Sequence, residues 1–150
     1  MDHQRILYAD DSPADVELLL SVFSGLGWGE EVAVVGDGME ALDYLLHRGA
    51  YAAKRPEPPG ILLLDLKMPR MDGFEVLSLV RAHPRLKVLP VVVLTSSKAE
   101  ADLCRCYELG ANAYVVKPAV GPEFQAVLES LSAFWLRINE PPPQLLNLAN

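Results

Sequence analysis

Five short apolar runs recur along the chain, at Ile6 to Ala9, Val32 to Val35, Ile61 to Leu64, Val91 to Leu94 and Ala113 to Val116. They are continuous rather than alternating, the pattern of strands covered on both faces. Each is followed by a segment whose apolar positions repeat at helical spacing. The first holds Val16, Leu19, Leu20, Phe23 and Leu26, and the second Ala41, Leu42, Leu45 and Leu46. The third holds Phe74, Leu77 and Val80, and the fourth, weaker, holds Ala99, Leu103, Cys106 and Tyr107. The fifth is the strongest, with Phe124, Val127, Leu128, Leu131, Phe134, Trp135 and Ile138. Five strand–helix units predict an α/β fold, a parallel sheet with helices on both sides.

The polar residues between these segments mark where elements start and stop. Ser12 before Pro13 reads as a helix cap followed by a proline in the first turn. Asp37 to Glu40, Asp72 to Glu75 and Ser97 to Glu100 each have the form of a capping box. Gly49 and Gly110 are expected to end helices two and four. Residues 49–60, "GAYAAKRPEPPG", read as a Pro-rich surface loop. Residues 140–150 form a Pro-rich tail in which three consecutive prolines stop the helix. One domain over residues 1–139 is expected, with no internal repeat.

Ligands of parallel α/β sheets bind at the carboxyl ends of the strands, and here those ends carry chemistry. Asp10 and Asp11 follow the first run, Asp65 the third, Thr95 and Ser96 the fourth, and Lys117 the fifth. Three carboxylates in one cleft repel each other unless a hard cation joins them. Mg²⁺ takes one or two carboxylates together with water and phosphate oxygens. A lysine and a hydroxyl beside it suit a phosphoryl group, and an aspartate is a competent nucleophile toward phosphorus. Taken singly, these residues have plainer readings. Asp37 and Asp72 each precede a glycine with a glutamate three residues on, so capping accounts for them. Thr95 alone reads as a strand-end hydroxyl and Lys117 alone as a surface lysine. Asp65 has no capping duty, because the next helix starts only near Asp72, and Ser12 displaces the Asp10–Asp11 pair as a cap.

Charge and composition narrow the setting. The net charge of −7 is the wrong sign for binding nucleic acid or an anionic membrane. No apolar run reaches membrane-spanning length and no signal peptide is evident at the N-terminus. Cys104 and Cys106, two residues apart on a helix, point in different directions and do not suggest a disulfide. A cytoplasmic home is expected. His3, His47 and His83 belong to no motif and read as surface residues.

Asp10-Asp11, "LLLDLKMPRMDG" (62–73), "VVVLTSS" (91–97) and "YVVKP" (114–118), in that order and spacing, resemble the receiver domain of two-component response regulators. The resemblance covers roughly residues 4–138. It implies a flavodoxin-like (βα)5 three-layer sandwich whose five parallel strands run in the order 2-1-3-4-5. It makes Asp65 the phosphoacceptor, Asp11 the direct Mg²⁺ ligand and Asp10 a ligand acting mostly through water. Lys67 would give its backbone carbonyl to the metal. Thr95 would swing toward the phosphoryl group and Lys117 would pair with it. Tyr114 would be the switch aromatic that follows Thr95, and the Lys117–Pro118 bond would be cis. The donor would be the phosphohistidine of a sensor histidine kinase. Such a protein is a signalling module rather than an enzyme, with only Mg²⁺-dependent self-phosphorylation and slow dephosphorylation.

Two further features refine the expectation. After residue 138 only the short tail follows, so either output is expected to pass through a partner or the protein drains phosphate from a kinase. The "AFWL" ending of the last helix and the Pro-rich loop before strand three resemble single-domain regulators paired with bacterial and cyanobacterial phytochrome kinases. Those are typically homodimers, and here Phe134, Trp135 and Leu136 would form an exposed dimer or partner surface. Other classes fit less well. A phosphatase with an aspartyl nucleophile wants a D-x-D pattern after strand one, where this chain has Asp10-Asp11-Ser12. A nucleotide-binding module wants a phosphate-cradling loop, whereas Gly25, Gly27 and Gly29 follow a helix and read as a turn. An adaptor of the same fold that works without phosphorylation stays open.

Overall fold

The computed structural model describes residues 4–143 and Leu145. Five strands, β1 (Ile6–Ala9), β2 (Val32–Val35), β3 (Ile61–Leu64), β4 (Val91–Thr95) and β5 (Ala113–Val116), form one sheet in the order β2-β1-β3-β4-β5. Every pairing is parallel. The strands fall where the apolar runs predict, with β4 one residue longer. Five helices alternate with them: α1 (Pro13–Gly25), α2 (Gly38–Leu46), α3 (Gly73–Ala82), α4 (Glu100–Glu108) and α5 (Gly121–Ser132).

Period-two alternation sorts each strand's side chains between two cores. Leu7, Ala9, Leu62 and Leu64 pack with α2 and α3 on one face. Ile6, Tyr8, Ile61, Leu63, Val92 and Leu94 pack with α1 and α5 on the other. That double burial is why the runs lack polar positions. Among the described residues no helix is long and apolar enough to cross a membrane.

Most caps form as the sequence predicts. The side chains of Ser12, Asp37 and Asp72 accept hydrogen bonds from the amides of Asp15, Glu40 and Glu75. Two expectations need correction. Ser97 does not cap α4; its hydroxyl donates instead to Asp102 at 2.6 Å, and the helix starts after Ala99 without a side-chain cap. The left-handed residue ending α2 is His47, not Gly49, which opens a 3₁₀ turn at Gly49–Tyr51. The histidine tolerates φ 57° with its ring Nε2 2.7 Å from the Pro56 carbonyl. Gly110, at φ 101°, follows α4 as expected.

The end of the last helix also departs from the prediction. After Ser132 the chain widens into a π-helical turn, Ala133–Ile138, with the Asn139 amide donating to the Phe134 carbonyl at 2.7 Å. The buried positions Phe124, Leu128, Ser132 and Leu136 recur every fourth residue. Leu136 is therefore core, 7% exposed, and does not belong to a surface patch as predicted. Phe134 and Ile138 face solvent, and Trp135 is half-buried against Phe134, the two rings edge-on at 4.9 Å. Beyond the turn, Pro141 passes over Gly60, and Leu145 is buried in the α2/α3 core. The other residues of the expected tail past Pro143 lie outside the described ones.

Candidate functional site

The carboxyl ends of β1, β3, β4 and β5 converge on one cleft, lined by Asp11, Asp15, Asp65, Lys67, Thr95 and Lys117 among others. The register explains the convergence. The Asp65 amide donates to the Ala9 carbonyl at 3.0 Å, and the Lys117 amide to the Thr95 carbonyl at 2.7 Å. Each polar residue thus leaves its strand at the same level.

Asp10 points into the core side of the cleft and is 1% exposed. Its Oδ2 accepts from the Tyr8 hydroxyl at 2.5 Å and from the Lys117 ammonium at 2.6 Å, and its Oδ1 from the Ser12 amide at 2.9 Å. Asp11 is exposed and accepts no hydrogen bond from any described residue. Asp65 is buried, its Oδ1 accepting from the Leu66 amide at 2.7 Å and its Oδ2 from Lys117 at 3.1 Å. Lys117 is buried too and completes its bonding with Asp15 Oδ2 at 2.8 Å. The Lys117–Pro118 bond is trans, contrary to expectation, since no described peptide is cis. The trans form is the ordinary one for X-Pro.

Burial sets the proton affinities. Desolvation raises the Asp65 carboxyl above its usual range; Lys117 offsets part of this and the neighbouring Asp10 adds to it. Burial pushes the Tyr8 hydroxyl well up, and the Asp10 charge pushes it further. Burial would lower Lys117, but its hydrogen bonds to Asp10 and Asp15 and the charge of Asp65 outweigh it, so the ammonium is held more firmly than usual.

The donor set fits a hard divalent cation. Oxygens of Asp10, Asp11 and Asp65 lie within 4.8 Å of one another. Two oxygens on opposite sides of a Mg²⁺ ion would stand about 4.2 Å apart, close to that spread, and the exposed Asp11 side chain is the one with room to adjust. Asp10, with both oxygens already occupied, is the poorer direct ligand.

Thr95 sits at the end of β4, buried, its Oγ1 accepting from the Ser97 amide at 3.3 Å. Tyr114 is half-buried and donates to the Ser97 carbonyl at 3.0 Å. The two residues expected to move together thus both grip the loop after β4. The loop after Asp65 is held from the other side. Arg70, at φ 64°, donates twice to Asp37, both at 3.0 Å, and the Gly38 amide donates to the Met71 carbonyl at 3.1 Å. Burial raises Asp37, but the Arg70 bonds and the Glu40 amide outweigh it and hold its carboxyl below the usual range. Asp37, expected only to cap α2, also fastens this loop.

Two residues at the cleft escape the sequence reading. Tyr8 shares a strand parity with Asp10, which was a readable signal for a shared face. Asp15 occupies the third position of α1, where an acid is ordinary helix-start chemistry, and so gave no signal. Cys104 is exposed and Cys106 buried on α4, pointing apart as expected.

The model of the response regulator receiver domain matches residues 6–129. This chain belongs to that family. The probable methanogenesis regulatory protein FilR2 of Methanothrix harundinacea is 38% identical over 138 residues, covering 91% of this receiver and 86% of FilR2. Response regulator Rcp1 of Synechocystis sp. is 36% identical over 131 residues, covering 87% and 88%. Among solved structures, the phosphorylated cyanobacterial phytochrome response regulator RcpA matches with a TM-score of 0.86 at 36% identity, covering 93% of this receiver and 99% of RcpA. The Mn²⁺-bound form of Rcp1 matches at 0.82 and 35%, covering 91% and 97%. Bacteriophytochrome response regulator RtBRR matches at 0.71 and 44%, covering 96% and 87%. The receiver is a signalling module homologous to phytochrome response regulators.

Proposed function

We propose that this receiver accepts a phosphoryl group on Asp65 from the phosphohistidine of a sensor histidine kinase of the phytochrome type, in the cytoplasm. The observation that carries the reading is the position of Asp65: a buried carboxylate at a strand end, 3.1 Å from the Lys117 ammonium, sharing metal-bridging distance with Asp10 and Asp11. A carboxylate oxygen of Asp65 attacks phosphorus in line. The P–N bond to the kinase histidine breaks, its electron pair stays on the imidazole nitrogen, and that nitrogen takes a proton from solvent. A divalent cation held by Asp10, Asp11, Asp65 and the Lys67 carbonyl, Mg²⁺ in this reading, supplies positive charge against the phosphoryl oxygens when bound. Lys117 supplies a second positive charge. Thr95 turns its hydroxyl to the phosphoryl group and gives up the Ser97 amide. Tyr114 then loses its fixed partner on the same loop, which couples the cleft to the α4–β5 surface.

The kinase pairing draws on the likeness to RcpA, Rcp1 and RtBRR. Pairing of two copies through the end of α5 is part of the same proposal. It draws on the exposed Phe134 and Ile138 and on the apolar groove that Val127, Leu131 and Trp135 form beside Val115 of β5.

The test is incubation with acetyl phosphate, with and without Mg²⁺, read by intact mass. The wild type should gain one phosphoryl group only with Mg²⁺, and Asp65→Asn none. An Asp65→Asn protein that still acquires a base-labile phosphoryl group would overturn the assignment. A wild type that gains nothing under any condition would instead favour the phosphorylation-independent adaptor.

A further inference from the structure

Lys117 uses its full bonding capacity in this structure. An ammonium has three donors, and they go to Asp10 at 2.6 Å, Asp15 at 2.8 Å and Asp65 at 3.1 Å. An incoming phosphoryl oxygen must therefore displace one of the three carboxylates. They are not equivalent. Asp65 carries the new group itself. Asp10 is 1% exposed, so withdrawing its cation leaves a buried charge with less compensation. The Asp15 side chain is 28% exposed, and water can replace the lysine there. Its bond is the one released at least cost.

Asp15 also stands apart from the acidic cluster that would hold the metal. It is not among the three carboxylates whose oxygens come within 4.8 Å of one another. Its place is fixed by the first turn of α1, where its amide donates to the Ser12 hydroxyl at 3.3 Å. A rigid element thus holds a fourth carboxylate against the lysine without offering it to the cation.

We propose that Asp15 is a positioning residue that holds Lys117 in the unphosphorylated arrangement and competes with the phosphoryl group for it. The proposal rests on the reading of Asp65 as phosphoacceptor. It makes Asp15 a determinant of how tightly the cleft holds a phosphoryl group, separate from how tightly it holds Mg²⁺. Removing the charge frees one lysine donor and removes one anion from a cleft that must receive another.

Beryllofluoride, a phosphoryl mimic, tests this on the full chain at saturating Mg²⁺, by titration calorimetry. Asp15→Asn should bind it about threefold to fivefold more tightly than wild type, the size expected for a partly exposed ion pair. Asp15→Glu, which keeps the charge, should bind as wild type does, and Mg²⁺ affinity measured alone should be unchanged in both. Asp15→Ser keeps a hydroxyl in the first turn and should reproduce the gain if the asparagine protein folds poorly. Wild-type or weaker beryllofluoride binding by the charge-neutral variants would overturn the role of Asp15 while leaving Asp65 intact. A wild type that binds no beryllofluoride at all would remove the Asp65 reading and this proposal together.

Discussion

Asp65, Lys117 and Asp10 form one ionic unit, and Tyr8 ties that unit to the sheet's interior. The tyrosine is 0% exposed and its hydroxyl donates to Asp10 at 2.5 Å. A hydrogen bond to a buried charge contributes more than a neutral one. Tyr8→Phe should therefore lower the unfolding free energy by roughly 1–2 kcal/mol, less than the full value because Asp10 keeps the Ser12 amide and Lys117. Urea unfolding of the two proteins checks it, and equal midpoints would show that the bond contributes nothing net. Asp65, Lys117, Thr95 and the acid pair were legible in the sequence because each breaks an apolar run at its end. Tyr8 and Asp15 passed unread, because each has a sufficient local explanation: tyrosine suits a strand, whatever its parity with Asp10 signals, and an acid suits a helix start. Their functional partners lie across the fold, Asp15 and Lys117 being brought together by the packing of α1 beside α5 on one face of the sheet.

The loop from Asp65 to α3 is the element on which the cleft depends most. It closes tightly enough that a Cβ on Gly73 would sit 2.3 Å from the Asp65 carbonyl and 2.8 Å from the Leu66 Cα. A Cβ on Gly38 would likewise sit 2.2 Å from the Met71 carbonyl oxygen. Neither contact yields by rotating a side chain, since the opposing atoms are backbone. Gly73→Ala should cost about 1–3 kcal/mol of stability, the range for overpacking, and shift the Asp65 carboxylate as the loop moves. A lowered melting temperature together with slower labelling by acetyl phosphate is the expected result. An unchanged melting temperature would show that the loop relaxes freely. The Asp72-Gly73 pair reads from sequence as a cap, which it is, but the close approach behind it does not, because it depends on where the loop folds back. The same limit applies at Ser97. Its spacing to Glu100 fits a capping box, yet Asp102 claims the hydroxyl and Tyr114 claims the carbonyl.

For the molecule as a whole, parallel pairing and both-face burial were readable from the runs themselves, while the strand order came from the family likeness. The end of α5 was readable only in part, because the widened turn keeps Leu136 on the buried every-fourth-residue stripe while exposing Phe134 and Ile138. If copies pair there, Phe134→Asp should move sedimentation at micromolar concentration from dimer toward monomer without changing Mg²⁺-dependent labelling. A wild type that sediments as a monomer would remove the pairing proposal. The two tryptophans bear on how such events can be watched. Trp28 stacks against Arg5, its ring 5.3 Å from the guanidinium, and Trp135 shares a pocket with Arg5 and Gly60. Both therefore stand at the edge from which the strands start, across the sheet from the carboxylates. Indole emission is thus an optical probe of one end of the molecule: it is suited to following association at α5, whereas metal and phosphoryl chemistry at the far end call for a dye or a fluorine label of their own.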